Sequence, residues 1–218
     1  MTPTFSRYGR VTAVSCLLVF SLCAAAIARL PAPIRVACLG DSITAGARVD
    51  ARTESYPARL QQLLGDQYDV KNFGLGSATL IKTGRPNVWQ KLEVVKEFQP
   101  DVAIISLGTN DTVAGKRKNW ERIERFEDDF TTLISALAEL PTQPRIVLCT
   151  PTAMVLETKG LSANRLANLT ERKPRLQELC KRIRKLAAEV HEQTGQGPMV
   201  CPRARRLVCA YSARLRSP

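Results

Sequence analysis

The sequence predicts an α/β fold: a parallel sheet of about five strands with helices on both faces, a three-layer sandwich. Short apolar runs alternate with longer segments of helical spacing. The runs stop at glycine or proline, as at Gly40, Gly108 and Pro151. Several are apolar along their whole length, as strands of a sheet covered on both faces must be.

In chain order, Ile34 to Leu39 reads as a buried strand. Tyr56 to Leu64 is a helix through Leu60, Leu63 and Leu64, ended by Gly65. Tyr68 to Phe73 is a second strand, and Val88 to Phe98 a helix closed by Pro100. Asp101 to Leu107 is the clearest strand, a β-branched run. Ile123 to Leu140 is an amphipathic helix with Phe126, Phe130, Leu133, Ile134 and Leu137 on one face. Arg145 to Thr150 is the fourth strand and Leu176 to His191 the last helix. A fifth strand begins at Pro198. Ligands of such sheets bind at the carboxyl ends of the strands, which directs attention to the loops after Leu39, Phe73, Leu107 and Cys149.

Of the 218 residues 44% are hydrophobic, enough for one domain with a core. With 24% charged residues, 12 Gly and 13 Pro, wholesale disorder and collagen-like repeats are excluded. The one histidine, His191, excludes a His-rich zinc site, and no metal is expected. The net charge of +12 is concentrated at the ends. Arg7 and Arg10 lie near the start, and Arg203, Arg205, Arg206, Arg214 and Arg216 near the end. Setting these seven aside leaves +5, an ordinary value, so nucleic acid is not an expected partner.

Arg7 and Arg10 precede the uncharged stretch Val11 to Ala28, which closes on Ala26-Ile27-Ala28. A positive region, an apolar region and a small-x-small cleavage site in that order predict an export signal. The alternative is an uncleaved membrane anchor. The expected organisation is a signal peptide at 1–28, an enzyme-like domain at 29–200 and an irregular basic tail at 201–218, in a periplasmic or secreted protein. Cys38 and Cys149 fall in core strands, and no C-x-x-C spacing occurs among the five cysteines beyond the signal.

Two motifs stand at strand ends. Gly40-Asp41-Ser42-Ile43-Thr44-Ala45-Gly46 follows the first strand, and Gly108-Thr109-Asn110-Asp111 follows the third. Between them lie Thr53 to Pro57 and Asn72 to Leu80. Together these resemble the blocks of the SGNH, or GDSL-type, hydrolases, over about Arg35 to Val200. The resemblance implies a flavodoxin-like sheet and an esterase with no cofactor. Its substrates are small acyl esters, with acetylated carbohydrate among them. It makes Ser42 the nucleophile and assigns the oxyanion donors to Ser42 N–H, the Asn110 side chain and the second block. Removing one such donor costs about 3–4 kcal/mol of transition-state stabilisation. Asp41 and Asp111 read as structural carboxylates that hold turns near the site. In the second block the family shows N-x-G-x-S-G-x-T, whereas this chain has Gly76-Ser77. Ser77 is the aligned donor and Gly76 its neighbour; if the family's glycine serves a positive φ, the swap strains the loop.

The family's catalytic acid and histidine lie in a D-x-x-H block after the fifth strand. No Asp, Glu or His follows Val200 here. His191 ends the last helix, at the amino edge of the sheet, opposite Ser42. The abrupt change of composition at residue 201 is what a shifted reading frame or false stop produces, and a truncated member is expected. A natural basic tail is the other reading. Two further functions stay open: a catalytically dead remnant of the fold, and a basic tether whose binding to anionic surfaces collapses with salt.

Overall fold

Five parallel strands form one sheet in the order β2-β1-β3-β4-β5. They are β1 (Ile34–Gly40), β2 (Tyr68–Gly74), β3 (Val102–Ser106), β4 (Arg145–Cys149) and β5 (Met199–Cys201). This computed structural model describes residues 32–194 and 199–201. The expected signal at 1–28 and the tail beyond Cys201 lie outside the described residues. From β1 the chain moves to one side to make β2, then crosses back to place β3 on the other side. β1 and β3 therefore flank a topological switch point, where the connections diverge and a crevice opens. The register levels the strand ends: Gly40 pairs with Gly74 on one side and Ser106 on the other.

Side chains alternate across the sheet and divide the core in two. Ala37, Leu39, Ala103, Ile105, Ile146 and Leu148 face one cluster; Val36, Cys38, Val102, Ile104, Val147 and Cys149 face the other. The second face takes Leu60 and Leu64 of α2 (Tyr56–Leu64). Its cap is Ser55, whose hydroxyl accepts from Ala58 N–H, with Pro57 in the first turn. The first face takes α3 (Leu92–Phe98), α4 (Phe126–Ala138) and α5 (Ala163–Thr194). Phe126 and Phe130 of α4 are wholly buried and meet edge to face at 5.7 Å. Arg182 of α5 is bonded to Glu127 of α4 and donates to Ile123 O at 3.1 Å, tying the two helices.

Three helices differ from their sequence reading. Val88–Lys91 is a 3-10 turn before α3, and Trp120–Arg125 another before α4. The larger correction is α5, which starts at Ala163 rather than Leu176 and carries Pro174 inside it. Proline removes the bond to the Thr170 carbonyl, but Pro174 and Thr170 are both exposed, where water replaces the lost donor. Buried Leu169 and Arg172 before the proline, and Leu176 and Leu179 after it, hold both halves in place. Among the described residues no helix is long and apolar enough to cross a membrane.

Candidate functional site

At the carboxyl end of β1 the backbone turns sharply into α1 (Ser42–Ala45). A Cβ on Gly40 would lie 1.9 Å from Thr44 Oγ1 and 2.8 Å from Ser106 O, so the turn admits only glycine. Asp41 caps α1, its Oδ1 accepting from Ile43 N–H at 2.8 Å. Ser42, half-buried, is the first residue of α1 and stands at the crevice between β1 and β3. α1 also presses on the end of β2: a Cβ on Gly74 would meet Ala45 N at 2.2 Å. Asn72 locks this approach, donating to Thr44 O at 2.9 Å and accepting Gly74 N–H at 2.9 Å.

Beyond Gly74 a four-residue turn closes with Ala78 N–H donating to Leu75 O at 3.0 Å. Its third residue, Ser77, has φ 61°, the position at which type II turns favour glycine. Gly76 beside it has no positive φ, and a Cβ there would meet nothing. The backbone keeps the conformation that suits a glycine at 77, while the residues are interchanged. Ser77 thus carries backbone strain of about 1–2 kcal/mol.

Asn110 opens a short 3-10 turn after β3. Its Nδ2 donates to Ala78 O at 3.0 Å and, at 3.4 Å, to Asp41 Oδ2. One amide thus connects the residue before Ser42 with the residue after Ser77. To serve an oxyanion, this amide must release its longer contact with Asp41. Asn119 Nδ2 donates to Asn110 O at 2.9 Å and fixes the turn from below.

Asp111 holds no turn of its own. It is wholly buried, and its carboxylate reaches across thirty residues to accept from Leu80 N–H and Ile81 N–H, each at 3.0 Å. Asp129 of α4 accepts from Lys82 N–H at 2.7 Å. Three successive amides of the loop after Ser77 therefore hang on two carboxylates. Burial pushes the Asp111 carboxyl up to about 6 against the pull of those N–H bonds, and nearby Asp41 adds to the rise. Asp41 is also raised, chiefly by burial, opposed by the Ile43 N–H, the Thr109 hydroxyl and Arg172.

His191 is not part of this assembly. It lies in the end of α5 that leads into β5, hence at the amino edge of the sheet. The seven residues of β1 put about 23 Å between the edges. Among the described residues no group of three or more His, Cys, Asp or Glu could hold a metal ion. Sequence reading missed Arg172, which is 8% exposed beside the site. Its Nη2 donates to Thr109 O at 2.6 Å, Nε to Thr112 Oγ1 at 2.9 Å and Nη1 to Asn168 at 3.2 Å. Nothing local marks it, because its partners at 109 and 112 lie sixty residues away.

Comparison with known proteins follows the same lines. Residues 38–206 match the GDSL-like lipase/acylhydrolase family. An acetylxylan esterase of Xylanibacter ruminicola is 39% identical over 149 residues, covering 56% of this chain and 30% of that protein. The chain thus spans less than a third of that relative's length. The aryl esterase of M. smegmatis superposes with a TM-score of 0.59 at 19% identity, over 84% of this chain and 99% of that one. A carbohydrate acetylesterase of Sinorhizobium meliloti does so at 0.58 and 19%, over 84% and 98%. At such identities the likeness is one of fold. With most of its length matched, the chain belongs to the GDSL-like lipase/acylhydrolase family.

Proposed function

We propose that the chain is an exported serine esterase of small acyl esters, acetylated carbohydrate among them, working without a cofactor. The observation that carries this reading is the Asn110 amide, which ties the Ser42 turn to the Ser77 turn at the switch point. The identity with an acetylxylan esterase supports an acetyl group as the acyl part.

Ser42 Oγ attacks the carbonyl carbon, and the oxyanion takes the N–H groups of Ser42 and Ser77 and the amide of Asn110. Collapse breaks the carbon–oxygen bond to the alcohol, which leaves with a proton from water. A second water then hydrolyses the acyl-serine. The weak point is the proton of Ser42. Among the described residues the one histidine, His191, lies at the other edge of the sheet, and without a base beside Ser42 that proton passes to solvent. A triad hydrolase deprived of its histidine loses roughly six orders of magnitude in turnover and keeps about 10³ over water. The placement of the single histidine favours a second reading, a member of the fold that binds ligand and does not turn it over.

Hydrolysis of p-nitrophenyl acetate by the purified chain and by Ser42→Ala separates the two. The esterase reading expects slow turnover that is absent in the variant and rises with added imidazole, a base small enough to enter the crevice. Equal rates with and without the Ser42 hydroxyl, and no imidazole response above the variant, establish the silent reading.

A further inference from the structure

Next to Ser42, between α1, the loop after β4 and the first half of α5, is an open cleft of about 340 Å³. Apolar residues, Ile43, Met154 and Leu169 among them, and threonines make up most of its lining; Arg48, Arg165 and Arg172 supply its charge, and no acidic residue lines it. None of these three arginines has a carboxylate within 4 Å among the described residues. Arg172 spends its donors on neutral oxygens of Thr109, Thr112 and Asn168, which hold its guanidinium still without balancing its charge. Arg165, Arg117 and Arg175 all press on it with like charge, and Asp41 is the one opposing group. Buried unpaired charge is costly, and like charges in one cleft raise that cost. An oxyanion on a small organic molecule relieves both, and arginine forks suit such a group in geometry.

We propose that this cleft receives an anionic group, a carboxylate or a phosphate or sulfate, carried by the ester beside its scissile bond. The preferred substrate is then an acidic ester, such as an acylated uronic acid, rather than a neutral one. This rests on the esterase reading for its chemistry but not for its binding. The inert Ser42→Ala chain carries the same cleft, so binding is measured there as well as in the unaltered chain.

The test is calorimetric titration with D-glucuronate, inorganic phosphate and methyl β-D-glucoside. The variants are Arg165→Gln and Arg48→Gln, both at exposed positions, with Arg59→Gln on α2 as a control for bulk charge. Glucuronate should bind while the neutral glucoside does not. Its affinity should fall at least tenfold in Arg165→Gln, the loss of one charge-assisted contact, and stay unchanged in Arg59→Gln. Equal binding of the neutral sugar, equal loss in the control, or binding of neither anion would each overturn the proposal; binding of phosphate without glucuronate would uphold the anion site and overturn the acylated uronic acid as its substrate. Slow p-nitrophenyl acetate turnover with neither anion bound removes the cleft and leaves the esterase. Glucuronate binding without turnover does the reverse.

Discussion

Ser77 is where sequence and backbone disagree. The turn asks for a left-handed residue at 77 and leaves room for any residue at 76, yet the glycine sits at 76. Ser77→Gly should therefore raise stability by about 1 kcal/mol, or roughly 2–4 °C in Tm for a chain of this size. Gly76→Ala should cost nothing, since its Cβ meets open space and the freedom lost is that of the unfolded chain. Thermal unfolding of the two variants reads both effects. Loss of stability in Ser77→Gly would mean that the serine hydroxyl has a part in the turn. The motif itself was legible from the first: Gly40 and Gly74 are dictated by contacts of about 2 Å that a Cβ would make. The swap was legible too, but the sign of φ at 77 is set by the folded turn and not by its letters.

Among the elements, the loop from Thr79 to Trp89 is the least obvious from its letters and among the best anchored. Trp89 Nε1 donates to Leu80 O at 2.7 Å, and Asn87 Nδ2 donates to Lys82 O and Gly84 O, each at 2.8 Å. Asp111 and Asp129 take its amides from the other side. Because the folded state holds a proton on Asp111 up to about pH 6 and the unfolded chain releases it near 4, folding favours the protonated form. Stability should fall as pH rises from about 4 to 6, by at most about 3 kcal/mol from this group, and level off above. Urea denaturation across that range should show a shallower fall in Asp111→Asn; an identical slope would mean the carboxyl is ionised throughout. Strands were readable because buried parallel strands are written as continuous apolar runs, as in Val102 to Ser106. The first half of α5 was not, because Pro174 reads as a stop and Ala163 to Lys173 is mostly polar. Leu169 and Arg172 fix it through contacts that no local pattern announces.

At the scale of the molecule, the charge belongs to the ends and the chemistry to the middle. The export reading makes a definite claim: protein recovered outside the cytoplasm should begin at Arg29. N-terminal sequencing of the fractionated protein checks it, and recovery of an intact Met1 in the membrane fraction would establish the anchor instead. The reading of the basic tail as a frame error has a matching genetic test. A D-x-x-H block in another reading frame past codon 200 is expected if the basic tail is a frame error, and its absence would make the tail native.

Every residue assigned to the oxyanion and the nucleophile comes from β1, β2, β3 and their loops, between Ile34 and Thr112. Elements later in the chain complete that scaffold: α4 and α5 pack on the sheet face that carries Leu39 and Ile105, and Arg172 of α5 holds the turn at Thr109 and Thr112. The crevice therefore takes its shape only as part of the whole domain. A change in α5 can cost the nucleophile its setting without touching a single residue that faces the ester.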